Sequence, residues 1–125
     1  MSEHKPLVLY VDDDSDCRQI MRLMLKNTDY ELVIAASGEE AIAACRQKAP
    51  DLAIVDLMME EVDSGLVFVK ELRLMGIQAP IYMLTSVGDS LDLSTDQQTL
   101  GLAGIFQKPL DAATLLSILK SRLGR

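Results

Sequence analysis

Five short apolar runs that do not alternate with polar residues, separated by stretches of helical periodicity, restrict this chain more than any other feature. The runs are Leu7-Val8-Leu9-Tyr10-Val11, Leu32-Val33-Ile34-Ala35, Leu52-Ala53-Ile54-Val55, Ile81-Tyr82-Met83-Leu84 and Ile105-Phe106. A strand with one wet face alternates apolar and polar residues, whereas a strand covered on both faces reads as a continuous apolar segment. Between the first two runs, Cys17, Ile20, Met21 and Met24 fall at i, i+3, i+4 and i+7 behind Ser15 as a cap, with Arg18, Arg22 and Lys26 outward. Ser37 or Gly38 opens a second helix that turns Ala41, Ile42 and Cys45 inward. Leu66, Val69 and Leu72 mark a third, stopped by Gly76, and Asp111 caps the last, which carries Leu115, Ile118 and Leu119.

Strands alternating with helices specify a parallel sheet with right-handed crossovers. The expected fold is therefore α/β and doubly wound, with five strands in the flavodoxin-like order 2-1-3-4-5. Residues 88–102 are rich in Ser, Thr, Asp and Gly, which compete with helical backbone bonds, so the fourth helix is expected to be short or irregular. At 125 residues, without a repeat, linker or low-complexity tract, the chain reads as a single domain over 1–125.

Composition removes several functions. No apolar run approaches the roughly eighteen residues that span a bilayer. The start, Met1 to Pro6, lacks the apolar core of a signal peptide, which points to the cytoplasm and away from a membrane. A net charge of −7 with no Lys/Arg cluster opposes direct binding to nucleic acid. Cys17 and Cys45 sit at apolar helix positions without a second thiol nearby, and read as small buried hydrophobes.

In an open α/β sheet, ligands bind beyond the carboxyl ends of the strands, at the point where the strand order reverses. Strand one runs into Asp12-Asp13-Asp14, strand three into Asp56, strand four into Thr85-Ser86 and strand five into Lys108-Pro109. Strand two, outside that point, ends blandly in Ala35-Ala36-Ser37. Crowded carboxylates repel unless a cation holds them ionised, and oxygen-only ligation favours Mg²⁺. A carboxylate can act as nucleophile towards phosphorus. The expected roles are Asp56 as acceptor, Asp12 and Asp13 as metal holders, Lys108 as partner of a phosphoryl oxygen and Thr85 as hydroxyl donor to another. Asp14 reads as a helix cap or a solvated acid.

These segments closely resemble the receiver domain of bacterial two-component response regulators, including the single-domain chemotaxis regulator. The likeness spans essentially the whole chain. It is carried by Val11-Asp12-Asp13-Asp14, Ile54-Val55-Asp56-Leu57-Met58-Met59, Met83-Leu84-Thr85-Ser86 and Lys108-Pro109-Leu110, in the family's order. The resemblance implies that Asp56 takes a phosphoryl group from a histidine kinase or histidine phosphotransfer protein. It further implies that Asp13 and Asp56 ligate Mg²⁺ directly with the Met58 backbone carbonyl, that Asp12 acts through water, and that Thr85, Ser86, Lys108 and Pro109 form the phosphate-binding and switch end. The Lys108-Pro109 bond is often cis in relatives.

The chain departs from the family pattern in three places. Glu60 stands where a Pro is usual, and Asp63-Ser64-Gly65 makes the loop after the acceptor one residue longer. Ile105, followed by Phe106, stands where relatives often carry the Tyr or Phe of a Thr-aromatic switch. Met58 and Val87 fall at positions that tune hydrolysis in relatives, and neither side chain can orient a water, so a long-lived phosphoryl group is expected. The breadth of the apolar surface on the last helix, with Leu116 added, points to a protein partner or homodimer face beside strand five. Two other readings compete: a small Asp-nucleophile phosphohydrolase using Asp12-Asp13-Asp14, and a non-phosphorylated pseudo-receiver that only binds.

Overall fold

The computed structural model describes residues 5–56, 64–86, 101–108 and 110–124. Its strands are β1 (Leu7–Val11), β2 (Glu31–Ala35), β3 (Leu52–Asp56), β4 (Ile81–Thr85) and β5 (Gly104–Gln107). The helices are α1 (Ser15–Leu25), α2 (Gly38–Gln47), α3 (Ser64–Leu74) and the last helix, α4 (Ala112–Leu123). All strand pairs are parallel and the order is β2-β1-β3-β4-β5, as the alternation of elements requires. The segment expected to hold the irregular helix falls outside the described residues up to Gly101.

Successive side chains of a strand point to opposite faces, so each central strand feeds two apolar layers. Leu9, Val11, Val55 and Met83 pack with Ala41 and Cys45 of α2 and Phe68, Val69 and Leu72 of α3. Val8, Tyr10, Ile54 and Leu84 pack with Met21 and Leu25 of α1 and Leu115 and Leu119 of α4. The edge strands β2 and β5 are the exceptions to burial on both faces: Leu32, Val33 and Ile34 of β2 and Ile105 and Phe106 of β5 are only half-buried, because among the described residues no strand pairs beyond either.

Several helix details differ from expectation. Of the two cap readings for α1, Asp14 holds and Ser15 does not; the Asp14 carboxylate accepts the backbone N–H of Asp16 at 2.8 Å and of Cys17 at 3.4 Å. The buried stripe of α1 centres on Met21 and Leu25, which leaves Ile20 half-exposed and Cys17 and Met24 half-buried. Ser37 caps α2 through the N–H of Glu40, whose carboxylate reaches back to the N–H of Ala36. The Asp111 cap of α4 is as expected. On α4, Leu115 and Leu119 are fully buried and Leu116, Ile118 and Leu123 half-buried against the same layer, so the core absorbs the breadth that suggested a partner face. The exposed large apolar side chains among the described residues lie on α1 and α3 and at the end of α3. α3 stops where Gly76 adopts φ +89°, a left-handed conformation glycine takes without a Cβ penalty.

Candidate functional site

The carboxyl ends of β1, β3 and β5 bring Asp12, Asp56 and Lys108 together. Backbone bonds set their places: the Asp12 N–H donates to the Ala35 carbonyl at 3.1 Å and the Lys108 N–H to the Thr85 carbonyl at 2.7 Å. Each extends a strand ladder by one rung, so both side chains leave the sheet from a rigid base. Strand alternation places Asp12, Asp56 and Lys108 on the same side as Tyr10, Ile54 and Phe106, the α1 and α4 layer.

The Lys108 ammonium lies 3.0 Å from Asp12 Oδ2 and 3.2 Å from Asp56 Oδ2, so one cation bridges two buried carboxylates. Asp12 is fully buried and Asp56 nearly so, while Asp13 is exposed at the rim. The Tyr10 hydroxyl also donates to Asp12 Oδ2, at 2.6 Å, and the Asp14 N–H donates to Oδ1 at 3.0 Å. Arg18 donates to the Asp12 carbonyl at 3.0 Å, and Cys17 Sγ stands 3.9 Å from the Lys108 nitrogen.

These contacts separate the two acids. Burial works to raise the Asp12 carboxyl, but the hydrogen bonds from Tyr10, the Asp14 N–H and Lys108 outweigh it and hold Asp12 below its ordinary value. Burial and then the Asp12 charge push Asp56 up to about 6 against the pull of Lys108. Lys108 is raised: burial alone would lower it, and both carboxylates more than compensate. Burial, followed by the bond to Asp12, keeps the Tyr10 hydroxyl protonated and a donor.

Asp12, Asp13 and Asp56 each offer an oxygen, all within 4.8 Å of one another. An octahedral Mg²⁺ with ligands at about 2.1 Å separates ligand oxygens by about 3 Å for neighbours and about 4 Å across the ion. The three carboxylates therefore fit a hard dication with small adjustments. Thr85 ends β4 at the same rim, nearly buried, and Ser86 follows it, exposed. Met58, Val87 and Pro109 lie outside the described residues, as does the loop up to Asp63.

Sequence reasoning had left Tyr10 in the core. Its signal was the i, i+2 spacing to Asp12, which puts both on one strand face, but an apolar run gives no hint that the hydroxyl is used. Phe106 packs in the α1 and α4 layer and Ile105 in the opposite one, so the neighbouring aromatic cannot stand in for Ile105 at the switch position. The phosphohydrolase reading fits poorly, because Asp12 is enclosed by three donors and Asp14 is spent on the α1 cap.

An open parallel sheet in this order, with an acid cluster and a lysine at its carboxyl rim, defines a signalling domain of two-component systems. Residues 8–120 match the model of the response regulator receiver domain, and the chain belongs to that family. The "Probable transcriptional regulator ycf27" of Cyanophora paradoxa is 36% identical over 125 residues, all of this chain and 51% of that protein. The chain thus spans about half the length of the curated relatives it matches. The solved chemotaxis protein CheY4 of Vibrio cholerae superposes with a TM-score of 0.84 at 32% identity, covering 95% of this chain and 99% of that one. A CheY-like receiver domain protein of Methanospirillum hungatei shares the fold, with a TM-score of 0.85 at 24% identity over 97% and 95% of the two chains. Receiver domains interact with histidine kinases and typically bind Mg²⁺ at an acidic pocket. No helix among the described residues is long and apolar enough to cross a membrane.

Proposed function

We propose that Asp56 accepts a phosphoryl group from a phosphohistidine on a sensor kinase or histidine phosphotransfer protein, with Mg²⁺ held by Asp12, Asp13 and Asp56. The observation that carries this reading is the bridging Lys108, 3.0 Å and 3.2 Å from two buried carboxylates at the carboxyl ends of the strands. Bound Mg²⁺ supplies positive charge that keeps the acids ionised and neutralises charge developing on the phosphoryl oxygens.

The remaining chemistry belongs to the chain. An Asp56 oxygen attacks phosphorus in line, the phosphorus–nitrogen bond to the donor imidazole breaks, and the imidazole keeps the electron pair and takes up a proton. Lys108 moves from its carboxylate partners to a phosphoryl oxygen. Thr85, at the end of β4, donates its hydroxyl to another in this reading. The product is an aspartyl phosphate, a signalling state read out by protein contact. The domain is a phosphoacceptor whose only turnover is loss of its own phosphoryl group.

Incubation with acetyl phosphate and Mg²⁺ tests this reading. The wild type is expected to gain one phosphoryl group, Asp56→Asn none, and Asp12→Ala to lose Mg²⁺ dependence together with most of the rate. Labelling of Asp56→Asn equal to the wild type would refute the assignment. Sustained release of phosphate over many turnovers would favour the phosphohydrolase, and no labelling under any condition the pseudo-receiver.

A further inference from the structure

We propose that Tyr10 is a positioning residue of the acidic site, holding the Asp12 carboxylate in the rotation that serves a divalent cation when Lys108 leaves it. The inference rests on the Asp56 reading above. Asp12 Oδ2 accepts two side-chain donors, Tyr10 at 2.6 Å and Lys108 at 3.0 Å, while Oδ1 accepts the Asp14 N–H at 3.0 Å. Lys108 is the one donor of the three that the chemistry requires to move.

Asp12 is 0% exposed with Lys108 in place, so the setting of its carboxylate depends on its protein donors. A buried carboxylate that lost its only side-chain donor would pay desolvation without compensation, or turn away to find another partner. Tyr10 prevents this because it cannot follow Lys108. Its ring is 2% exposed and packed among Met21, Ile54 and Leu84, and β1 fixes its backbone in the centre of the sheet. Lys108, in contrast, keeps 20% of its side chain exposed at the rim, which leaves it a way out that Tyr10 lacks, although both border a cavity of about 100 Å³ lined also by Cys17, Met21 and Leu84.

Partners that orient a metal-ligating carboxylate are commonly worth about ten- to a hundredfold in metal affinity, so removal of this hydroxyl should weaken Mg²⁺ binding about tenfold. The test is a Mg²⁺ titration of the full chain followed by NMR for the wild type, Tyr10→Phe and Tyr82→Phe. Tyr82 is a suitable control, since its buried hydroxyl accepts from Arg122 at 2.8 Å, away from the acids. Tyr10→Phe is expected to raise the Mg²⁺ dissociation constant about tenfold, and Tyr82→Phe to bind as the wild type does.

With acetyl phosphate as donor, the half-saturating Mg²⁺ concentration of Tyr10→Phe should rise by the same factor, with a smaller fall in the rate at saturation. In an Asp12→Asn background the Tyr10→Phe change should add nothing, because the carboxylate it acts through is gone. Unchanged Mg²⁺ affinity in Tyr10→Phe overturns the inference and leaves the Asp56 reading standing. Equal weakening in Tyr82→Phe, or a full Tyr10→Phe effect without the Asp12 carboxylate, also overturns it. A wild type that binds no Mg²⁺ overturns both readings.

Discussion

Lys108 holds two buried acids together, and the acids do not share it equally. Asp12 has two further donors, so its charge is well compensated; Asp56 lies next to that charge and its carboxyl is pushed from 3.8 to about 6. In the metal-free protein this displacement carries a sign. The folded state binds the Asp56 proton more tightly than the unfolded chain, so ionisation penalises the fold. The penalty is absent below pH 3.8, grows as the pH rises, and is complete above about 6. Asp56→Asn is therefore expected to stabilise the metal-free protein at pH 7.5 by on the order of 2 kcal/mol, and by little at pH 4. Urea unfolding in the presence of a chelator measures both values, and an equal gain at the two pH values would contradict the account. At this scale the acids and the lysine were legible as residue types ending apolar strands. Tyr10 was not, because an apolar run says which face a tyrosine takes but not what its hydroxyl meets.

Among the elements, the pairing of β4 with β5 sets where Lys108 stands, since the Lys108 N–H continues that ladder to the Thr85 carbonyl. Gly104 lies opposite Tyr82 in this pair, and a Cβ on it would come within 3.0 Å of two ring carbons. The ring has little freedom to yield: its hydroxyl is held by Arg122, and its centroid lies 5.6 Å from that of Phe106. Gly104→Ala is accordingly expected to destabilise by about 1–3 kcal/mol through overpacking. A urea midpoint at or above the wild-type value would show that the ring gives way. The helices teach a related lesson. Periodicity in α1 identified an apolar side but not its rotation against the sheet, and Leu25 took the buried place that the spacing had assigned to Ile20.

For the molecule as a whole, the reversal of strand order between β1 and β3 gathers the reactive side chains at one rim, with α1 rising beside it. Ile20 and Leu23 on that helix are 50% and 61% exposed, and Ile20 borders the same small cavity as Lys108. Under the proposed function, a protein donor would bring its phosphohistidine to this rim. Replacement of both residues by Ser is expected to slow phosphoryl transfer from the cognate donor protein at least about tenfold, the loss typical of truncating apolar side chains at the centre of an interface. The rate with acetyl phosphate, which needs no docking, should stay near wild type. Equal slowing with both donors would place the effect inside the site instead.

The sequence by itself determined which segments become strands, that the sheet is parallel and covered on both faces, and which residue types stand at each strand's carboxyl end. Those properties follow from local patterns of hydrophobicity, capping and strand alternation. The tertiary structure alone decided that the edge strands β2 and β5 are half-exposed, and that Asp12 is enclosed while Asp13 faces water. It also decided that Tyr10 and Lys108 meet on one Asp12 oxygen. Such outcomes depend on helix rotation and on contacts of about 3 Å between residues far apart in the chain, and no local pattern encodes distances of that kind.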